Sequence, residues 1–302
     1  MELTALSLRL HALSALRGLQ QHPLVRACTQ TMDYLDGANA ECFADAYGAL
    51  CAAHYAYHDA SQALLDAVHY DVNTLTDTLA APASALLDAA TLDIEALNAL
   101  LAIDGKALKT AAAGRYNAPA LLTLPDFPAS APLPFRDGAA LASYYRAQGY
   151  GFFAQSSAFA VQDDGTVAPI VHPDTIRLHD LPGYERQKQQ ILKNTRAFLD
   201  GREANNILLY GDKGTGKSST VKAVVNEYAE RGLKIIEMSP RHITCFPKIF
   251  AETLRSPFRC IVFLDDLSFS REDDNFAALK AFIEGGLAGK PANLVIYATS
   301  NR

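Results

Sequence analysis

The sequence predicts an α/β fold, a parallel sheet with helices on both faces, preceded by a mainly helical N-terminal domain. Three observations carry this. Four short apolar runs begin near residues 207, 233, 260 and 293, a repeat of roughly thirty residues that suits successive βαβ units. A glycine-rich segment, Gly211 to Ser218, follows the first run directly and leads into a helical pattern. Residues 1–118 are rich in Ala and Leu, with apolar positions recurring at helical rather than alternating spacing.

In chain order, Leu3, Leu6, Leu10 and Leu13 fall on one helical face. Leu24, Cys28, Met32 and Leu35 do so after Pro23, and Phe43, Tyr47, Leu50 and His54 after Asn39, with Gly37 between the two groups. Ile94, Leu97 and Leu101 mark a later helix. A small bundle over 1–118 is the simplest arrangement. Pro119, Pro125, Pro128, Pro132 and Pro134 then break regular structure, which predicts a linker or a surface strap at 119–135. Residues 136–175 read as one section. It holds a helix from Ala139 to Arg146 and a hairpin pairing 151–159 with 167–171 across Asp163-Asp164-Gly165. Its aromatics, Tyr144, Tyr145, Tyr150, Phe152 and Phe153, lack interleaved Lys and Arg. They read as core filling rather than as a platform for bases.

The domain at 176–302 carries the chemistry. Ile207 to Tyr210 is a buried strand running into Gly211-Asp212-Lys213-Gly214-Thr215-Gly216-Lys217-Ser218-Ser219. The glycines let backbone N–H groups turn onto phosphates, and Lys217 adds a point charge. Ser218 offers a hydroxyl to magnesium, and the helix that opens at Ser218 and Ser219 adds its positive dipole end. That helix runs to about Glu230 through Val221, Val224, Val225 and Tyr228, with Gly232 as its stop. The strand 233–238 follows. The run Cys260 to Leu264 ends in Asp265-Asp266, a pair placed where an open parallel sheet presents ligands. Asp265 suits the magnesium shell and Asp266 suits orienting or deprotonating water. A helix from Asn275 to Leu287 then leads to the strand 294–298 and its polar tip, Thr299-Ser300-Asn301.

Together the phosphate loop, the run ending Asp265-Asp266 and the tip Thr299 to Arg302 resemble the AAA+ ATPases. The match extends to the entry segment Ile176 to Lys188, which in such modules packs near adenine. The stretch 183–206, the loop, Asp265 to Phe269 and Tyr297 to Arg302 are more closely similar to the bacterial domain of unknown function family 815, over about 136–302. The resemblance implies ATP and Mg2+ as cofactors, ATP hydrolysis as the reaction, and Asn301 at the sensor-1 position beside Asp266 as a catalytic pair. It also implies assembly into a homo-oligomer in which a neighbour's arginine completes the site. Arg271 and Arg302 lie near the right strand ends but read as surface arginines. The second acidic residue is usually glutamate in the superfamily, and an aspartate stands here. AAA+ modules continue into a fifth strand and a helical lid, so a chain ending at Arg302 reads as truncated before the lid.

Composition bounds the rest. With 49% hydrophobic and 20% charged residues over 302 positions, the chain can bury a sizeable core. No run reaches membrane-spanning length and the N-terminus lacks a secretion signal, which places the protein in the cytoplasm. Residues 1–135 hold six Lys and Arg against fourteen Asp and Glu, a net of −8. This favours a protein partner over nucleic acid for the N-terminal domain. Arg186, Lys188, Lys193, Arg196 and Arg202, with Arg241, His242, Lys248, Arg255 and Arg259, leave nucleic-acid contact open for the remainder. Cys51, His54 and His58 have a spacing that zinc could use, but no paired-cysteine motif accompanies them and packing is the stronger reading. The sequence thus points to an ATP-binding protein of AAA+ type whose turnover acts on a partner. A nucleotide-dependent scaffold without useful turnover and a small-molecule P-loop kinase stand as alternatives.

Overall fold

A computed structural model describes residues 3–37, 39–254, 256–267 and 292–301. The chain divides into two compact units, Met1–Phe152 and Phe153–Arg302. The divide falls inside the 136–175 section that the sequence groups together. The helix there joins the first unit because Tyr145 is buried in its core and donates to the carbonyl of Val68 at 2.8 Å. The hairpin joins the second because its first strand pairs with the main sheet.

Helices α1 (Leu3–His11), α2 (Pro23–Gly37), α3 (Ala40–Ala56), α4 (Ala60–Tyr70), α5 (Thr74–Asp77), α6 (Ser84–Leu101), α7 (Gly105–Tyr116) and α8 (Gly138–Gln148) build the first unit. Side chains of Asn39, Asp59, Asn73, Asp104 and Asp137 accept from first-turn N–H groups. These caps fix where five of the helices begin. Leu6, Leu10, Leu24, Phe43, Leu50, Ile94 and Leu97 form one buried core, as their helical spacing requires. Residues 119–135 take the form of a strap. Leu121, Phe127, Leu133 and Phe135 are buried, and backbone polar groups find partners: Tyr47 Oη donates to the Pro125 carbonyl at 2.7 Å, and Lys109 Nζ to that of Leu124 at 2.6 Å. His54 stacks on Phe127 with ring centroids 4.1 Å apart. The prolines remove N–H donors that such an irregular path would leave unpaired.

The second unit contains β1 (Ala158–Val161), β2 (Val167–Pro169), α9 (Glu185–Leu199), β3 (Ile207–Gly211), α10 (Lys217–Tyr228), β4 (Leu233–Met238), α11 (Phe246–Leu254), β5 (Arg259–Leu264) and β6 (Leu294–Asn301). The sheet order is β2-β1-β4-β5-β6-β3. Every pairing is parallel except the β1–β2 hairpin. The four apolar runs are β3 to β6, and β4, β5 and β6 are buried on both faces, as parallel strands between helical layers are. Val221, Val224 and Val225 of α10, with Ile191 and Phe198 of α9, pack against Ile235, Ile261, Phe263, Val295 and Tyr297. The order seats β6 between β5 and β3, with Gly211 opposite Asn301 and Leu264 opposite Ala298. The carboxyl ends of three strands therefore meet at one edge of the sheet. The expected helix Asn275 to Leu287, Ser268, Phe269, Arg271, Arg255 and Arg302 lie outside the described residues.

Candidate functional site

The glycine-rich loop connects β3 to α10. Gly211, Gly214 and Gly216 have φ of 144°, 84° and 80°, values that side-chain-bearing residues rarely adopt. The loop can therefore turn as it does only with glycine at these positions. Asp212 and Lys213 are exposed at its tip. Thr215 Oγ1 donates to the Asp212 carbonyl at 2.9 Å, closing the turn from within. Lys217 Nζ donates to the carbonyls of Gly211 at 2.9 Å and Asp212 at 2.7 Å, which holds the ammonium over the loop mouth. Gly216 is the N-cap of α10, and no side chain caps this helix. The first-turn N–H groups, including those of Lys217, Ser218 and Ser219, thus keep their capacity for an anion.

Across from the loop, Ser218 Oγ donates to Asp265 Oδ1 at 2.6 Å. Asp265 is half-buried and Asp266 is exposed. Asp266 has a φ of 54°, an uncommon conformation for a non-glycine residue and one that clusters at functional sites. Asn301 Nδ2 donates to Asp266 Oδ1 at 2.7 Å. The structure thus brings together the loop, Ser218, Asp265, Asp266 and Asn301, all read from sequence as site residues.

Thr299 was legible only as part of a polar strand tip, yet it joins the two carboxylate residues. Its hydroxyl donates to Asp265 Oδ1 at 2.5 Å and accepts from the Asp266 N–H at 2.9 Å. No local sequence signal marks it, because a threonine ending a strand is ordinary.

A cleft of about 680 Å³ opens beside the loop, lined by Tyr184, Gln187, Asn194, Tyr210, Thr215 and Lys217 among others. Its volume is in the range that small-molecule ligands occupy. The entry segment borders it: Lys188 is buried and donates to the Leu181 carbonyl, while Asn226 Nδ2 donates to the carbonyls of Asp174 and Ile176 at 2.8 and 2.9 Å. These bonds tie residues 174–181 to α9 and α10. Tyr184, just before α9, has a φ of 56°.

A glycine-rich loop between a parallel strand and a helix, faced by paired carboxylates at the end of another strand, gives the second unit the architecture of a P-loop α/β domain. Residues 154–302 match the model of the family described as "Protein of unknown function (DUF815)". Similar solved structures include AMPPCP-bound DnaA from Aquifex aeolicus, at 21% identity over 44% of this chain and 44% of that one, with a TM-score of 0.32. Two Thermotoga maritima RuvB structures match at 17% identity. One, a point mutant, matches over 42% of each chain with a TM-score of 0.30. The other, the Holliday junction branch migration motor, matches over 42% of this chain and 41% of that one, with a TM-score of 0.31. The chain spans less than half the length of these structures. No curated protein matches it.

Proposed function

We propose that the protein binds Mg-ATP at the loop Gly211 to Ser219 and hydrolyses it to drive a conformational change on a partner. The observation that carries this is the 2.6 Å hydrogen bond from Ser218 to Asp265. It joins the phosphate loop to the carboxylate strand at an uncapped helix N-terminus. The loop and first-turn N–H groups bind phosphate oxygens, and Lys217 adds the positive charge that the terminal phosphates require.

The donor set suits magnesium. Ser218 and Asp265 offer oxygen only, and among the described residues no cluster of three or more His, Cys, Asp or Glu forms a self-contained metal cage. Magnesium ordinarily keeps waters and takes one or two protein oxygens plus substrate phosphates. Bound there, it supplies positive charge to the phosphate oxygens. Asp266 takes a proton from the attacking water, and the Asn301 amide fixes the carboxylate that does so.

One observation also favours a scaffold that binds nucleotide without useful turnover. The Asn301 amide already occupies an oxygen of Asp266, and an aspartate reaches less far than the glutamate usual in the superfamily.

The first unit is proposed to recruit a protein partner. Several cations of the second unit are engaged within its fold. Arg241 pairs with Asp163 at 2.6 Å, Arg196 bonds Tyr228 Oη at 2.6 Å and Arg259 bonds the Ala292 carbonyl at 2.7 Å, which weakens the case for a nucleic-acid footprint. No helix among the described residues is long and apolar enough to cross a membrane. The proposed setting is the cytoplasm, with self-association through the second unit.

Titration of a fluorescent ATP analogue tests the reading. Lys217→Ala should weaken binding by about tenfold or more, since a charge-assisted contact contributes roughly 1.5–3 kcal/mol, while the thermal melt stays near that of the parent. Unchanged affinity in the folded variant would remove Lys217 from the site and discredit the reading.

A further inference from the structure

Among the residues around the loop, Thr299 has a hydroxyl whose surroundings are hard to explain by packing. It is 2% exposed at the end of β6. Valine fills such a strand position equally well, and a buried hydroxyl is costly unless it is bonded. Here both of its capacities are used, and both on the acidic pair. It donates to Asp265 Oδ1 at 2.5 Å and accepts from the Asp266 N–H at 2.9 Å. Ser218 donates to that same carboxylate oxygen at 2.6 Å. An unbroken chain of hydrogen bonds therefore runs from the first turn of α10, through Asp265, to the tip of β6 and the backbone of Asp266.

The backbone of Asp266 needs such support. Its φ of 54° is a conformation that persists when neighbouring contacts over-determine it. Three contacts from β6 do so besides the Thr299 hydroxyl. The Leu267 N–H donates to the Thr299 carbonyl at 2.7 Å, Ser300 Oγ to the Leu267 carbonyl at 2.8 Å, and Asn301 Nδ2 to Asp266 Oδ1. Of these groups, only the Thr299 hydroxyl touches both carboxylate residues.

We infer that Thr299 is a positioning residue, whose hydroxyl fixes the Asp265 carboxylate against Ser218 so that the pair is preset for a hydrated divalent cation arriving with nucleotide. The inference rests on the proposed nucleotide site and adds a separate claim to it. Thr299 contributes to the magnesium-dependent part of nucleotide affinity and not to the part due to the phosphate loop itself, since none of its bonds reaches the loop or Lys217. The contacts made by main-chain atoms at 299 and by Ser300 and Asn301 remain when the hydroxyl is removed, so the turn keeps its other anchors.

The test is titration of the full chain with a fluorescent ATP analogue, once in EDTA and once across a magnesium series, for the parent and for Thr299→Val, Thr299→Ala and Thr299→Ser. Val and Ala differ in volume and share the loss of the hydroxyl, whereas Ser restores it. Val and Ala should reduce the affinity gained on adding magnesium by about tenfold, the lower end of what removing a group behind a metal ligand costs. Affinity in EDTA should be unchanged, and Ser should keep the parent's gain. A parent-like magnesium gain in a cooperatively melting Val or Ala variant would overturn the inference while leaving the nucleotide site standing. So would a Ser variant as impaired as Val, which would assign the effect to the methyl group's packing. A parent chain that binds no nucleotide in either condition would overturn the underlying reading, and this inference with it.

Discussion

Asp266 concentrates the question of turnover in one side chain. It is exposed, held at a positive φ and bonded to Asn301. Asparagine tolerates that backbone region better than almost any residue except glycine, so Asp266→Asn changes the charge and leaves the turn alone. The variant should retain Mg-ATP affinity, because Ser218, Asp265 and the loop are untouched, and lose about 10²-fold or more in phosphate release, the contribution of a positioned base. Equal turnover in the two proteins would dismiss Asp266 as the base. A parent that binds ATP and releases no phosphate with any partner would instead favour the scaffold. At this scale the loop and the acidic pair were readable because glycine, lysine and aspartate in that order have few other physical uses. Thr299 was not readable. Its role comes from the register that sets Gly211 opposite Asn301 and Leu264 opposite Ala298, a relation between strands distant in sequence.

Among the elements, β4 to β6 announce themselves because strands buried on both faces must be continuous apolar runs, whereas β3, expected from the sequence to be buried, is an edge strand with Leu208 and Tyr210 exposed. The hairpin was visible through its Asp-Asp-Gly turn, but its strands are Ala158–Val161 and Val167–Pro169 rather than 151–159 and 167–171, with Phe152–Ala154 forming a helical turn instead. Its union with the sheet was not visible. That union is a parallel pairing of Ala158–Ala160 with Ile235–Glu237, and such a non-local pairing leaves no periodic trace. Lys234 of β4 is the conspicuous exception in an apolar strand. Its ammonium donates to the Ser156 carbonyl at 2.8 Å and lies 4.2 Å from the Phe258 ring centroid. Burial lowers its pKa from 10.5 to about 8. Between those values the unfolded chain holds a proton that the folded chain has released, so this group makes stability rise with pH across the window. Below about pH 8 both states are protonated and the full penalty, on the order of 3 kcal/mol, is present. Cys260, opposite Lys234 on β5, is pushed up to about 12 by burial and stays neutral throughout. Urea denaturation at a series of pH values should therefore show the parent gaining stability relative to Lys234→Met as pH rises from about 8 to about 10.5. Parallel courses for the two proteins would mean that Lys234 is not desolvated in the fold.

For the whole molecule, the charge follows the structural divide. Residues 1–152 carry eight Lys and Arg against fifteen Asp and Glu, a net of −7, whereas residues 153–302 carry nineteen against eighteen, a net of +1. Each unit has its own buried core, and the loop, Asp265, Asp266, Thr299 and Asn301 all belong to the second. Nucleotide affinity should then be a property of 153–302 alone and stay within about twofold when residues 1–152 are deleted, as expected for a domain that keeps its own core. The first unit is expected to bind polyanions poorly, because each DNA phosphate neutralised requires a cation and a net charge of −7 opposes approach to the duplex. Fluorescence anisotropy with a labelled duplex should therefore show no binding by 1–152 from about 50 mM to about 200 mM salt, the range over which phosphate contacts respond most steeply. Pull-downs should recover protein partners with the full chain and lose them when residues 1–152 are removed. Tight duplex binding by 1–152 that weakens as salt rises would reverse the assignment and make this unit the nucleic-acid contact, with ATP turnover in the second unit acting on the duplex that the first one holds.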